Sequence, residues 1–498
     1  MSQYQDGLPQ GWAMAEFDDV AEVEANLVEP SAFLDSPHVA PNHIESGTGR
    51  LLPYQSIRAD GVTSPKHLFR PGQILYSKIR PYLAKVTLVD FAGLCSADMY
   101  PVRADIVPGF LQQWLVSPMF TALASQSQSR TVLPKINKRA LGTKAVPVPP
   151  LNEQKRIVAR IEALQRRSSA AKEALDAIPP LLEKFRQSVL AAAFRGDLTR
   201  KWREAHPDVE PATELLARIR AERRRRWEEA KPGKKYVEPE PVDTSGLPEL
   251  PKGWCWASVE ELCWDGPTNG YSGATEAGSS GTLTMKLSAT TQGKLLLNDS
   301  TTKRLSETLG DESKFWLKQG DLLVQRANSL SYLGAAAIFD CAEEPMVYPD
   351  LMMRIRVVEP IITALLWRYF NSMACRGWFR ANATGTAGNM PKISGAILRR
   401  TAVPLPSAGE VEQLLEVVGQ TLEVVDAVTE PSSELSDLLA PLNQSILAKA
   451  FRGELVPQDP NDEPASVLLE RIRQEREAAG DSSATGRRGR KPKQARRS

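Results

Sequence analysis

Apolar residues recur at alternating steps of four and three in two separate stretches of the chain. In the first they are Ile157, Ile161, Leu164, Ala171, Leu175 and Ile178, with Ser168 as the polar exception. In the second they are Leu414, Val418, Thr421, Val425, Val428, Ser432 and Leu435. A heptad seam kept for about three and a half repeats predicts a helix that packs against another helix. About 26 residues at 1.5 Å rise make such a helix roughly 39 Å long. A shorter helix is predicted after each, over 181–194 and 438–451. Both end in Phe-Arg-Gly, with the glycine where a C-cap wants it (Gly196, Gly453). A third helical motif opens at Pro211-Ala212 and again at Pro464-Ala465, each proline suited to a helix start.

Ahead of each helical stretch the period changes. Short β-like runs, such as 73–76, 85–89 and 321–324, are broken by Gly and Pro, and Gly72 and Gly320 precede two of them. That pattern predicts mixed, mainly β globular bodies with a few helices. The order is therefore globular–helical–globular–helical, and the chain repeats it. Residues 133–198 and 390–455 align with a constant offset of 257 and no gap. Leu133-Pro134-Lys135-Ile136 answers Met390-Pro391-Lys392-Ile393, and Val146-Pro147-Val148-Pro149 answers Val403-Pro404-Leu405-Pro406. Gln187-Ser188 answers Gln444-Ser445, and Leu8-Pro9-Gln10-Gly11-Trp12 answers Leu250-Pro251-Lys252-Gly253-Trp254. Internal repeats decide architecture before local propensity does. What differs between the copies, as in 21–67 against 263–315, is then the place to seek specificity.

Composition changes this picture only locally. With 498 residues the chain is too long for one core. Hydrophobic content of 42% and charge of 24% are ordinary for a globular protein. No apolar run approaches the roughly 18 residues of a membrane helix, and Met-Ser-Gln-Tyr-Gln-Asp lacks a signal-peptide pattern, so a cytoplasmic location with no membrane partner is expected. Net charge is +2, yet residues 151–235 hold 21 Lys/Arg against 13 Asp/Glu and residues 407–478 hold 5 against 15. Opposite charge on the two helical segments favours their pairing, although each set could simply be a solvated helix face. Residues 231–249 read as a linker. The last 20 residues hold 7 Lys/Arg against 1 Asp/Glu and read as a disordered tail, a nonspecific DNA arm or a solubilising segment.

No catalytic engine is visible. There is no phosphate loop and no strand-following G-x-G-x-x-G, and Asn389-Met390-Pro391 would break a helix after the glycine-rich 385–388. The methyltransferase motif Asn-Pro-Pro-Tyr is absent, as is a compact nuclease-like acidic cluster. The five cysteines (Cys95, Cys255, Cys263, Cys341, Cys375) form no CxxC and read as reduced, packed thiols. His38, His43, His67 and His206 lack ligand spacing, so no metal is expected. A binding protein fits better than an enzyme.

Two places in each globular body carry basic and amide side chains beside turns. One follows the strand after Gly72 or Gly320: Lys78 and Arg80 in the first copy, Arg326 and Asn328 in the second. The other precedes the long helices: Arg130, Lys135, Asn137, Lys138 and Arg139, against Thr386, Asn389 and Lys392. Arg, Lys, Asn and Gln read base edges in the major groove, and Ser and Thr serve phosphates. Each place could equally be an ordinary polar loop. Tyr82 and Phe69 read as core aromatics rather than stacking platforms.

Several of these features together carry a resemblance. They are the Leu-Pro-x-Gly-Trp openings, Gly72-Gln73-Ile74-Leu75-Tyr76-Ser77-Lys78-Ile79-Arg80-Pro81-Tyr82-Leu83, Val-Pro-x-Pro before Asn152-Glu153-Gln154-Lys155-Arg156, and the twice-used Ala-Phe-Arg-Gly-[Asp/Glu]-Leu. In this order the chain resembles the specificity subunits of type I restriction–modification enzymes. The resemblance implies an α+β fold. Two mixed α/β target recognition domains (1–149 and 250–406) are separated by helical conserved regions (150–230 and 407–478). The helices pair as an antiparallel coiled coil with internal pseudo-twofold symmetry, leaving the linker 231–249 and the basic tail 479–498. It implies a noncatalytic chain that reads a split, asymmetric site in double-stranded DNA, with the helices as a ruler. It also implies two modification subunits carrying S-adenosylmethionine and a restriction–translocase partner, with no cofactor on this chain. Helix pairing and subunit contact then fall to Ile157, Ile161, Leu164, Leu175, Ile178 and Phe194, and to Leu414, Val418, Val425, Val428, Leu435 and Phe451. The second copy departs from the pattern at Pro406-Ser407-Ala408-Gly409-Glu410 and at Gln325-Arg326-Ala327-Asn328-Ser329, so a Lys–Arg contact does not carry over there. A coiled-coil scaffold with two protein-binding domains is the alternative.

Overall fold

A computed structural model describes residues 8–126, 134–275, 278, 280–340, 344–385 and 390–486. The chain forms two compact units, Met1–Asp176 with Ser433–Ser498, and Ala177–Ser432. The fold is α+β, as expected, but the division falls within the two long helices, so each unit draws on both repeats.

In the first unit the strand Ala13–Glu16 pairs antiparallel with Ala145–Val148. A four-stranded antiparallel sheet follows in the order Ala21–Val23, Met99–Ala104, Ile74–Ser77, Val86–Leu88. All of Ile74–Ser77 is buried, which is why it reads as a continuous run rather than an alternation. Gly72 holds the preceding turn at φ +82, a conformation that only glycine adopts cheaply. A second, five-stranded sheet contains Lys66–Phe69 and Gly93–Cys95. Phe69 is fully buried beneath it.

The second unit repeats the first two sheets. Cys255–Ser258 pairs with Ala402–Leu405. The four-stranded sheet runs Cys263–Asn269, Met352–Val357, Asp321–Gln325, Ala336–Phe339. Gly320 takes the role of Gly72 at φ +86. The additional sheet here has three strands instead of five, in the region where the two copies barely align. The second unit's sheet carries a more buried ion network than the one around Arg103 in the first. Arg354, 3% exposed, donates to Asp265 at 2.8 Å, and Arg356 donates to Asp321 at 2.7 Å.

The helical stretches differ from the expectation in one respect. Instead of a long helix and a shorter one, each copy has a single helix of 44 residues, Leu151–Phe194 and Ala408–Phe451. Pro179 and Pro180 lie inside the first. A proline removes one hydrogen bond and crowds the preceding turn, so the sequence suggests a break. Helix–helix packing on both sides of the prolines carries the helix through.

In each unit the start of one helix lies beside the end of the other, so the pairing is antiparallel. Ser436 donates to Asp176 at 2.8 Å in the first unit, and Arg186 pairs with Asp426 in the second. The seam is only half as expected. Val411, Val418, Val425 and Ser432 stay buried, as do Ile161 and Ser168. The other row turns outward: Leu414 is buried, whereas Val428 is 43% exposed and Leu435 53% exposed. Ile157 and Ala171 show the same progression from buried to exposed, while Leu164, Leu175 and Ile178 are partly buried. A near-straight helix drifts about 20° per heptad against a strict seven-residue repeat, which removes one of two rows from the interface. Val428 and Leu435 therefore do not pair the helices.

Phe451 and Phe194 share their clusters with residues of the opposing helix and also anchor the globular bodies. Phe451 packs edge-on to Trp114 and Phe110 at centroid distances of 4.9 and 5.4 Å. Phe194 meets Tyr369 at 4.9 Å. The repeated phrases meet in the same joints. Ala465 N–H donates to Gly11 carbonyl at 2.9 Å, and Ala212 N–H to Gly253 carbonyl at 2.8 Å. A Cβ on Gly453 would lie 2.2 Å from Pro9 Cγ, and one on Gly196 2.5 Å from Pro251 Cγ. Thus each Leu-Pro-x-Gly-Trp opening docks on the Phe-Arg-Gly end of the other repeat's helix. The repeated glutamines act likewise. Gln444 donates to Gly47 carbonyl at 3.2 Å, and Gln187 to Asn371 carbonyl at 3.1 Å.

One joint differs between the units. Glu410 is fully buried and accepts from Arg203, Thr199 at 2.6 Å, and the Trp254 indole at 2.8 Å. Its repeat counterpart Glu153 is 1% exposed, and neither its Oε1 nor the Trp12 indole N–H has a hydrogen-bond partner. Burial raises the Glu153 carboxyl above its usual range, with the Arg156 charge pulling it back in part.

The linker 231–249 has no helix or strand, but Tyr236 pins it to the helix Ala212–Ala230 through Arg223, whose guanidinium lies 5.3 Å from its ring. The expected tail at 479–498 is overtaken by the helix Ala465–Gly486, since extending a helix avoids the cost of nucleating one. Residues 487–498, with the arginines of the basic tail, lie outside the described residues. Among those described, no helix is long and apolar enough to cross a membrane.

Candidate nucleic-acid interface

The two basic places singled out in each copy come together in space, by the same backbone device. In the first unit Arg80 N–H donates to Pro134 carbonyl at 2.8 Å and Ile136 N–H to Lys78 carbonyl at 2.9 Å. Ile79 and Lys135 thereby form an isolated antiparallel bridge. In the second unit Asn328 N–H donates to Pro391 carbonyl at 3.3 Å and Ile393 N–H to Arg326 carbonyl at 2.9 Å, bridging Ala327 to Lys392. The Pro-Lys-Ile motif is thus a short strand that clamps the loop leaving the central sheet.

The side chains on this platform divide by what already occupies them. Lys78 lies 5.3 Å over the Tyr100 ring. Lys135 reaches Asp98 at 3.2 Å, a half-exposed pair of small energetic weight. Lys138 donates to Val23 carbonyl at 2.9 Å. Arg80 and Arg139 are exposed. Asn137 caps the helix Lys138–Gly142 by accepting from Ala140 N–H at 2.8 Å, a local duty that Asn at this position serves by itself. In the second unit Asn328 is also turned inward, donating to Gln325 at 2.6 Å, while Lys392 is exposed and Arg326 partly so. Arg130, Thr386 and Asn389 lie outside the described residues.

Two cations that the sequence reading passed over belong to the second platform. Arg376 donates to Ser331 carbonyl at 2.6 Å and Arg380 to Leu330 carbonyl at 3.1 Å. Burial, with the neighbouring Arg380 cation, lowers the Arg376 guanidinium to about 10, still charged at neutrality. Their spacing on the helix Met373–Ala381 was the available signal: two arginines four apart share a helix face. Tyr82 reverses its expectation. It is 50% exposed, because the turn Pro81–Leu83 carries it outward on the platform.

The remaining candidate chemistry is spent on structure. His38 pairs with Asp60 at 2.7 Å, and His206 with Trp202 carbonyl at 2.8 Å. Burial raises the thiols of Cys95 to about 12 and Cys255 to about 11, and Cys341 lies outside the described residues. No group of three or more His, Cys, Asp or Glu able to hold a metal occurs among the described residues.

Residues 9–178 match the family described as type I restriction modification DNA specificity domain. Over that segment the chain is similar to the DNA specificity domain of type I restriction–modification enzymes. The EcoDI specificity subunit of Escherichia coli is 46% identical over 218 residues, 43% of this chain and 49% of that protein. This match spans about half the relative's length. The EcoKI specificity subunit of Escherichia coli K12 is 26% identical over 390 residues, covering 76% of this chain and 74% of its own. The StySPI specificity subunit of Salmonella potsdam is 22% identical and covers 95% and 97%. A solved chain from work on complex assembly and conformational transition of the type I R-M system superposes with TM-score 0.62 at 20% identity, over 90% of this chain and 99% of its own. That likeness gives the fold. The matched segment 9–178 covers the first globular body and the larger part of the first long helix.

Proposed function

We propose that this chain is the noncatalytic, sequence-specific DNA-binding subunit of a type I restriction–modification complex. The observation that carries the reading is the clamped basic platform, built twice from different residues on one backbone plan. Each platform takes one half of a split, asymmetric target in double-stranded DNA. Of the residues proposed to touch DNA, Lys78, Arg80, Lys135 and Arg139 serve the first half-site, and Arg326 and Lys392 the second, with Lys138 as a weaker contributor. Exposed basic groups position the duplex through phosphates, and base edges supply sequence.

The paired helices act as the ruler that sets a gap of about 5–8 base pairs between half-sites. Partner subunits take the faces of the long helices that the pairing leaves open. Leu181 and Phe185 in one unit, and Leu438 and Leu442 in the other, are 49–63% exposed and occupy the same positions of the repeat. Equal apolar patches fit two copies of one partner, the modification subunit, which would carry S-adenosylmethionine and the methyl-transfer chemistry. A restriction–translocase subunit completes the complex, in the cytoplasm.

The test is a genome-wide map of methylated bases in a host expressing this chain with its modification subunit, against one lacking the chain. A new split motif that depends on the chain is the expected result. An unchanged map, with both proteins soluble and associated, would contradict the reading. Lengthening both helices in register should widen the gap, and an unchanged gap removes the ruler.

A further inference from the structure

We propose that Tyr82 and Tyr332 are an equivalent pair of base-contacting side chains, each bearing on the bases of its own half-site while neighbouring cations hold phosphates. The proposal rests on the DNA-recognition reading above and adds residues that it does not use.

Equivalence comes from hairpin register. The first hairpin pairs Tyr76 with Val86 and the second Val324 with Ala336. Beyond these pairs Ser77 N–H donates to Lys85 carbonyl at 3.0 Å, and Gln325 N–H to Ala335 carbonyl at 2.8 Å. Counting back three residues from the re-entry points Lys85 and Ala335 lands on Tyr82 and Tyr332. The loop between is two residues longer in the second unit, so the linear repeat does not align the two tyrosines.

Both rings face outward, 50% and 45% exposed, although Ala84 and Leu333 beside them are buried. The loops are held rigid by unrelated means. In the first, Pro81–Leu83 lies between Arg80 at φ 48 and Ala84 at φ 45, two non-glycine residues in the left-handed region. Such strain persists only where surrounding bonds over-determine it. Here they are Leu83 N–H to Arg80 carbonyl at 2.9 Å, Ala84 N–H to Pro81 carbonyl at 3.0 Å and the clamp to Pro134. In the second, glycine replaces alanine (Gly334, φ +75), and Arg376 and Arg380 grip the carbonyls of Ser331 and Leu330. Two different sets of bonds present the same ring at the same place.

The surroundings decide the occupant. Lys78, Arg80 and Lys135 flank one loop, and Arg326, Arg376, Arg380 and Lys392 the other, which suits a polyanion. A phenol ring offers a phosphate little, but its apolar face can lie against the base edges and thymine methyls that a groove exposes, a contact that depends on which bases are there. An aromatic ring set among cations therefore fits a duplex, with the ring on the bases and the cations on the backbone.

The experiment measures affinity against salt concentration for the full chain with its modification subunit. The probes are the split site found by methylation mapping, versions with either half-site scrambled, and a fully scrambled duplex. Y82A and Y332A are expected to bind the intact site about three- to tenfold more weakly, with the slope of log affinity on log salt unchanged, because no phosphate contact is lost. Y82F and Y332F should stay near wild type, and all four should melt as wild type does. Scrambling one half-site should erase the Y82A effect and leave that of Y332A; scrambling the other should do the reverse. The proposal is overturned if the alanine variants bind within twofold of wild type, if the salt slope falls with affinity, or if phenylalanine fares as badly as alanine. A wild type that does not prefer its site to the fully scrambled duplex overturns the DNA reading and this inference with it.

Discussion

The two long helices open with the same glutamate and give it opposite surroundings. Glu410 sits in a complete cage, with Arg203, Thr199, Ser407 and Trp254 all bonded to it. Glu153 lies equally deep with one oxygen unpartnered, and the indole N–H of Trp12 is unpartnered as well. The difference comes from the segment just beyond the opposing helix. After Gly196 the chain supplies Thr199 and Arg203; at the same steps after Gly453 it supplies Val456 and Pro460. Duplication preserved the buried acid, and divergence in a distant segment removed its cation. A repeated residue therefore has a repeated role only where its long-range partners are repeated too.

Breaking the complete cage should have the largest effect. Glu410→Ala leaves the Arg203 guanidinium without its buried partner and should cost about 3–5 kcal/mol, read as a fall in the urea midpoint. A midpoint within error of wild type would mean that the cage contributes nothing. Next come the anchoring rings. Phe451→Ala should cost about 3–4 kcal/mol, and Phe194→Ala less, because Phe194 is only partly buried; urea titration gives both, and the reverse order would undo the view of Phe451 as the deeper anchor.

Glu153→Gln sharpens the comparison in the opposite direction, and it should stabilise by about 1 kcal/mol at neutral pH. The folded state raises this carboxyl above its ordinary 4.5, so folding favours the protonated form. That contribution is complete below 4.5 and is lost as pH rises through the folded value. Melting temperature should thus fall from pH 4.5 toward neutrality in the wild type and fall less in the glutamine variant. Parallel curves would show that Glu153 is not the group responsible. Smallest of all, Leu438→Ser with Leu442→Ser should change stability by less than about 0.5 kcal/mol. Both side chains are half-exposed or more, yet co-purification with the modification subunit should be lost. Retained association would place the partner elsewhere.

Much of this was legible in the sequence because it is local or repeated. The β-like runs 73–76 and 321–324, the helix-capping glycines 196 and 453, and the order of bodies and helices follow from local pattern alone. The Pro-Lys-Ile motif and the loop at Lys78 or Arg326 could each be named as polar places beside turns. That they touch could not be read, since the bridges Ile79–Lys135 and Ala327–Lys392 join segments more than fifty residues apart. Heptad spacing located the helices but misjudged Val428 and Leu435, because seven residues do not close a whole number of helical turns. Tyr82 looked like core because apolar neighbours surround it in sequence, and only the left-handed residues on either side turn it out.

The joints between helix ends and globular bodies also set an order of events during synthesis. The first body leaves the ribosome before the second, yet its core includes Leu447, Ala450, Phe451, Leu468 and Ile472, which are made only after the whole second body. At about 5–20 residues per second, it waits many seconds for them. The second body, whose core lies wholly between Val189 and Leu422, can close in the meantime. The amino-terminal half of this chain is thus born early and finished late, and it must stay soluble with one side of its core still open.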